Sequence, residues 1–265
     1  MSSFGGTGTG RDVSHYMGVS MRETGDLDLV GHADAAPHLR GPTGGVRAGA
    51  LLTMLDNVGG LNGGLAALPD GWVVSTNLAA RVVASAHTGP LRLDSSVLRR
   101  GRNSVVTEVR IRDEGAHDAL VASGVLTSAI LVPEHGVPQW NRPVVLDPPP
   151  AAPDLPAIAE WLGVRAAGEG AVEIDLAAHL RNPWGILHGG VVATLVDLAA
   201  EHATGGGYTT DVVLHFLAPN RVGPVRADAR VVGRRADGDV VRVEVGDVGA
   251  DRTTAVAIVT SATPG

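Results

Sequence analysis

Residues 182–201 read NPWGILHGGVVATLVDLAAE. A turn rich in Pro and Gly gives way at His188-Gly189-Gly190 to a helix that is apolar on nearly every side. Such a helix belongs inside a core rather than on a surface. Asp197 interrupts it, and Glu201 follows one turn later. A carboxylate buried there is costly unless it is hydrogen-bonded or used, so Asp197 is either a satisfied structural acid or part of a site.

The stretch has a counterpart earlier in the chain. His38-Leu39-Arg40-Gly41-Pro42 returns as His179-Leu180-Arg181-Asn182-Pro183, and Arg47 through Asp56 returns in register as His188 through Asp197. Asp56 and Asp197 therefore hold equivalent helix positions. Further on, Ser75-Thr76-Asn77-Leu78 matches Thr209-Thr210-Asp211-Val212, Gly89-Pro90 matches Gly223-Pro224, and Leu126-Thr127-Ser128-Ala129 matches Val259-Thr260-Ser261-Ala262. The offset shrinks from 141 to 134 residues, and to 133 at the last match, which predicts a longer loop after the first helix, over Gly60–Gly71. Repeats of this length indicate duplicated domains rather than a solenoid.

Between the copies, Pro133–Pro156 holds eight of the chain's 16 prolines, including Pro148-Pro149-Pro150. Such a segment cannot propagate a helix or a central strand and reads as a semi-rigid linker. The expected division is a disordered Gly/Ser/Thr-rich start over 1–13, a first domain over 14–132, the linker over 133–156 and a second domain over 157–265. Each domain is expected to run short helix, strand, turn, long helix, then several strands. Ala171–Leu176, Val240–Val245 and Val105–Ile111 alternate with the period of half-buried strands. One buried helix followed by antiparallel strands gives an α+β fold, a sheet wrapped round a helix.

Composition narrows the function. At 265 residues and 44% hydrophobic, the chain can bury a sizeable core. A net charge of −7 argues against general nucleic-acid binding, which rests on clustered cations. Zero cysteines excludes disulfides and thiolate chemistry. The start lacks the basic-then-apolar pattern of a signal peptide, and no apolar run approaches the roughly 18 residues of a membrane span. The expectation is a cytoplasmic protein with no membrane partner. His179, His188, His202 and His215 lack a metal-ligand spacing, so no metal is expected.

The spacing of Asn182, His188-Gly189-Gly190 and Asp197 resembles the hotdog-fold thioesterases, in particular the phenylacetate-pathway type. There an Asn precedes His-Gly-Gly by six residues and an acid follows the His by nine. The match spans both halves, but only the second carries the full signature. Gly41, Arg47 and Ala48 stand where Asn182, His188 and Gly189 do, while Asp56 is kept and Asn57 after it also resembles the family. The resemblance implies two tandem hotdog domains, each an antiparallel sheet around a long central helix. It also implies sites shared across the interface. The first combines Asn182, His188 and Gly189 with Asp56 and Ser75; the second, degenerate site combines Asp197 and Thr209 with Gly41, Arg47 and Ala48. One competent site is expected.

The implied activity is hydrolysis of acyl-CoA or carrier-bound acyl thioesters, with the CoA ester as substrate and no separate cofactor. A helix N-terminus offers unpaired N–H groups, so the Gly189 amide suits an oxyanion and Asp56 suits a general base or nucleophile. Asn182 and Ser75 are expected to orient the water or the carboxylate, and His188 to fix the turn or contact the thioester. CoA phosphates need cations, for which Arg99, Arg100 and Arg102 or Arg234 and Arg235 are candidates against the plainer reading of solvated basic turns. Two alternatives remain: a hotdog-fold hydratase or dehydratase of acyl thioesters, and a non-catalytic acyl-CoA-binding module. Exposed hotdog surfaces that often pair imply a homo-oligomer of such chains.

Overall fold

The computed structural model describes residues 12–25, 27–134, 136–147 and 154–263. The first half contains α1 (Val13–Met17), β1 (Ser20–Gly25), β2 (Asp28–Ala33), α2 (Ala48–Ala67), β3 (Trp72–Val82), β4 (Leu91–Arg100), β5 (Ser104–Asp113) and β6 (Ala119–Leu131). After a two-residue strand β7 (Val145–Leu146), the second half contains α3 (Ile158–Trp161), β8 (Arg165–Gly168), β9 (Ala171–Ile174), α4 (Gly189–Thr204), β10 (Tyr208–Phe216), β11 (Val225–Arg235), β12 (Gly238–Asp247) and β13 (Arg252–Ala262). Element for element the two orders agree, with two strands before each long helix where the sequence pattern predicts one.

The strands form one antiparallel sheet in the order β7-β1-β2-β4-β5-β6-β3-β10-β13-β12-β11-β9-β8. Read outward from the β3–β10 pair, both wings have the same order, and β7 is the one extra strand. The central pairing is itself symmetric: Leu78 faces Leu214 and Ala80 faces Val212. Each wing curls over its own helix. Val105, Val109 and Ile111 on β5, and Val241, Val243 and Val245 on β12, are fully buried, as the period-two alternation predicts. One continuous apolar cluster runs through both halves.

The two helices cross at their N-terminal turns. Thr53 and Thr194 lie 2.8 Å apart at Oγ1, and each hydroxyl also donates to a glycine carbonyl of the other helix, Gly190 at 2.7 Å and Gly49 at 2.8 Å. Gly49 and Gly190 allow this approach, since a Cβ on either would meet the Cα of the facing threonine at 2.9 Å or less. A second seam joins α1 and α3, where Tyr16 stacks on Trp161 at 4.1 Å and its hydroxyl donates to the Pro156 carbonyl.

Three expectations need correction. Gly60–Gly71 is not a long loop: α2 continues to Ala67 and is 20 residues long against 16 for α4. The glycines are tolerated because tertiary contact overrides propensity; a Cβ on Gly64 would lie 2.6 Å from the Trp72 ring. Order begins before residue 14, since Asp12 caps α1 through the His15 amide, while residues 1–11 lie outside the described set. Within Pro133–Pro156, Val145–Leu146 pairs with β1, a short edge pairing of the kind a proline-rich segment can make; Pro148-Pro149-Pro150 lies outside the described residues.

Candidate active site

Asp56 lies on the part of α2 that faces the start of α4, and its side chain is buried, with the residue 6% exposed. Ser75 Oγ donates to its Oδ1 at 2.7 Å, and the Gly190 backbone N–H donates to its Oδ2 at 2.8 Å. His188 Nδ1 lies 3.4 Å from the same Oδ2. The acid and hydroxyl come from the first half, the imidazole and amide from the second.

Local structure explains each placement. His188 is the N-cap of α4, and its Nδ1 accepts the Gly190 N–H at 3.0 Å. With Nδ1 accepting, the proton of a neutral ring sits on Nε2. Burial lowers the His188 pKa below its ordinary value, with the Asp56 charge opposing, so the ring is neutral at pH 7. Ser75 owes its direction to a bulge: β3 pairs Ser75 with Ser128 but Asn77 with Thr127, leaving Thr76 extra. The bulge switches the inward parity, so that Val73 and Ser75 face the helix before it and Leu78 and Ala80 after it. Gly189 has no room for a side chain, because a Cβ there would lie 2.9 Å from Asp56 Oδ2. As the first residue of α4, it presents an N–H with no hydrogen-bond partner among the described residues.

Asn182 lies elsewhere in this network. Its Oδ1 accepts the Trp184 and Ile186 amides at 3.0 and 3.4 Å, closing its own turn, and it makes no hydrogen bond to Asp56. Trp184 then anchors that turn to the first half through an Nε1 bond of 2.9 Å to the Val73 carbonyl. Sequence reasoning passed over Trp184, although an indole in a turn before a buried helix is a signal for such an anchor.

The equivalent place around Asp197 is built differently. Asp197 Oδ2 accepts the Gly49 N–H at 3.0 Å, as Asp56 accepts from Gly190, but also takes Arg47 Nε at 2.9 Å. Arg47 reaches on to Glu201 at 2.5 Å. Burial works against the Arg47 charge, yet Asp197 and Glu201 hold its pKa above the ordinary value. Ala48 occupies the helix start, and a Cβ on Gly41 would come within 2.6 Å of Arg47 Cβ. Thr209 is buried, and its hydroxyl has no hydrogen-bond partner among the described residues. Arg47–Asp197–Glu201 is thus an ion-paired cluster that leaves no free acid.

The candidate phosphate-binding arginines divide. Arg100 pairs with Asp70 and donates to the Ala66 carbonyl, and Arg235 pairs with Asp237. Arg99, Arg102 and Arg234 are exposed and without an ion pair among the described residues. Grooves of about 590 Å³, along Asp228–Arg230, Arg242–Asp247 and Asp251–Thr253, and of about 100 Å³, around His215 and Ile258, lie on the second wing; neither includes Asp56 or His188. Among the described residues, three or more acids and histidines nowhere form a metal-binding group, and no helix is long and apolar enough to cross a membrane.

Residues 44–119 match the family model of the thioesterase superfamily. The matched segment contains Asp56 and Ser75 and lies in the half whose His-Gly-Gly is altered. Solved structures of similar fold include a protein from Novosphingobium aromaticivorans provisionally named a thioesterase, with TM-score 0.62 and 19% identity, covering 92% of this chain and 98% of that one. A protein from Thermobifida fusca provisionally named a thioesterase II gives TM-score 0.64 at 17% identity, over 96% and 98%. Another from Lactobacillus plantarum, provisionally named an oleoyl thioesterase, gives 0.65 at 9%, over 89% and 96%. No curated protein matches the sequence. At these identities the likeness speaks for the fold. The chain thus has the hotdog fold, a buried helix wrapped by antiparallel sheet, and its residues 44–119 match the thioesterase superfamily.

Proposed function

We propose that the chain is two hotdog domains fused in tandem, over 14–132 and 157–265, and that it hydrolyses acyl-CoA thioesters at one composite site between them. The observation that carries this reading is the Asp56 carboxylate. It is buried, held by Ser75 and Gly190 and set against the neutral His188 at the open N-terminus of α4. Two neutral donors hold the acid in place and leave its charge unpaired by any cation, which suits a group that must take a proton or attack.

In the proposed reaction the thioester carbonyl oxygen meets the unpaired Gly189 N–H, where the helix N-terminus stabilises developing negative charge. Asp56 takes a proton from the attacking water, or attacks the carbonyl carbon itself. The C–S bond then breaks, and the thiolate leaves and takes up a proton; the water route releases the acid directly, whereas after direct attack a water hydrolyses the acyl–Asp56 anhydride, releasing the acid and restoring the carboxylate. Asn182 and Trp184 hold the turn that presents Gly189. The exposed Arg99 and Arg102, on the half that supplies Asp56, are assigned to the CoA phosphates ahead of Arg234 and Arg235.

The test is thiol release from a panel of acyl-CoAs. The wild type turns over at least one of them, and Asp56→Asn loses about 10²–10⁴ in kcat, the range for a general base. Asp197→Asn keeps its turnover per folded molecule. Thiol release unchanged in Asp56→Asn but abolished in Asp197→Asn would sink the assignment. Tight binding of CoA esters without turnover would favour a binding module instead.

A further inference from the structure

Helix α2 is buried along its whole length except at Gly60 and Leu61. Gly60 lies one turn beyond Asp56, and a Cβ built on it meets nothing within 4 Å. Glycine inside a helix costs stability relative to alanine, and here no neighbour requires its absence of side chain. A helical side chain leans back over the preceding turn, so any residue at 60 would cover Asp56 and Asn57. The equivalent residue of α4 is Glu201, whose side chain does this: it folds back to Arg47 and closes the space beside Asp197. Asn57 adds a second difference. It is 8% exposed and its Nδ2 is buried without a hydrogen-bond partner among the described residues, whereas the equivalent Leu198 is apolar. A buried amide donor left unpaired calls for an explanation, and a ligand acceptor supplies one.

Resting on the thioesterase reading above, we propose that the gap over Gly60 is the passage of the substrate's pantetheine arm, and that the Asn57 Nδ2 donates to an amide carbonyl of that arm. The arm must join a buried carbonyl carbon to solvent, and Gly60–Leu61 is where the helix bearing Asp56 meets solvent. The direction is consistent. Ala66, whose carbonyl Arg100 holds, lies about 15 Å beyond Asp56 along the helix, so the arm leads toward the turn with Arg99 and Arg102. Glu201 and Leu198 deny the same passage to the other half, so the two composite places differ in access as well as in chemistry.

Gly60→Leu and Asn57→Leu test the proposal, with Gly60→Ala as the milder variant. For acyl-CoAs from two to twelve carbons, Gly60→Leu raises KM about tenfold or more at every chain length, with kcat little changed. Asn57→Leu raises KM by about five- to tenfold, the loss of one hydrogen bond. Melting temperatures do not fall in Gly60→Ala or Asn57→Leu, since a helix glycine and an unpaired amide are removed; a merely structural Asn57 gives the opposite. Unchanged KM, or a defect confined to long acyl chains, overturns the proposal. Should the wild type hydrolyse nothing, calorimetry with a non-hydrolysable acyl-CoA thioether decides. Binding lost in Gly60→Leu supports the passage while the hydrolase reading falls; binding equal in both proteins, or absent from both, overturns it.

Discussion

Asp56 and Asp197 occupy the same position on equivalent helices, each buried and each accepting one glycine amide from the other helix. Everything else around them differs. Asp56 has Ser75 and a neutral His188; Asp197 has the fixed charge of Arg47, with Glu201 behind it and an unpartnered Thr209 hydroxyl beside the strand. A buried carboxylate can be made tolerable by a cation, which cancels its charge, or by neutral donors, which hold the charge and leave it usable. Asp197 is an internal strut, whereas Asp56 keeps a charge held only by neutral donors. Retaining an acid at a repeated position therefore says nothing of its use until its partner is known.

The comparison is broken most directly at Arg47. Arg47→Met leaves Asp197 buried without its cation, and removing one partner of such a pair costs about 3–5 kcal/mol. Chemical denaturation of the variant should fall by that amount, while turnover per folded molecule on the best acyl-CoA stays near wild type. The double variant Arg47→Met with Asp197→Leu should recover most of the loss, because apolar groups of similar volume often replace a buried ion pair without penalty. Turnover that falls in step with the missing Arg47, in protein shown to be folded, would mean that the strut takes part in the reaction.

Ser75 and Thr209 offer the next contrast, a hydroxyl at one equivalent position with opposite results. Ser75→Ala removes a hydrogen bond to a charged group, worth about 1.5–3 kcal/mol, and frees the Asp56 carboxylate to turn, so kcat should drop by about tenfold or more. Thr209→Val removes a hydroxyl that has no partner and should leave activity unchanged and stability equal or slightly higher. Parallel losses in the two variants would show that the halves are more alike than their hydrogen bonds indicate.

Much of this was legible in the sequence, and the missing parts share a cause. The buried helix, the two equivalent acids and the repeat follow from apolar patterning and spacing alone, and the pairing of His188 with Asp56 is what the family resemblance implies. Gly60–Gly71 misled, because four glycines lower helix propensity while the Trp72 ring that packs on Gly64 comes from a strand. The bulge at Thr76, which turns Ser75 inward, leaves only a break in parity between Val73 and Leu78. Arg47 could be seen as a lost histidine, but its pairing with Glu201 depends on how two helices cross. Asn182, which the resemblance expects to orient the water or the carboxylate, uses its Oδ1 to close its own turn. For α2, for Ser75 and for Arg47 the deciding contact is non-local, where neither period nor propensity carries information.

The smallest effect bears on the charge of His188. Burial depresses its pKa despite Asp56, so the folded protein holds the ring neutral at pH values where the unfolded chain, near the ordinary 6.5 or so, already binds a proton. Above that value both states are neutral and the residue contributes no pH dependence. As pH falls through it the unfolded state gains the proton first, so stability declines until the lower folded pKa is passed. His188→Asn keeps an N-cap for α4 and removes the titration. The stability of wild type relative to this variant should therefore fall between pH 7.5 and 5, read as the difference between their denaturation midpoints. A difference that instead grows in favour of wild type would mean that acid charges His188 against Asp56. The two carboxylates would then both be paired with cations at low pH, and the distinction between strut and site would hold only near neutrality.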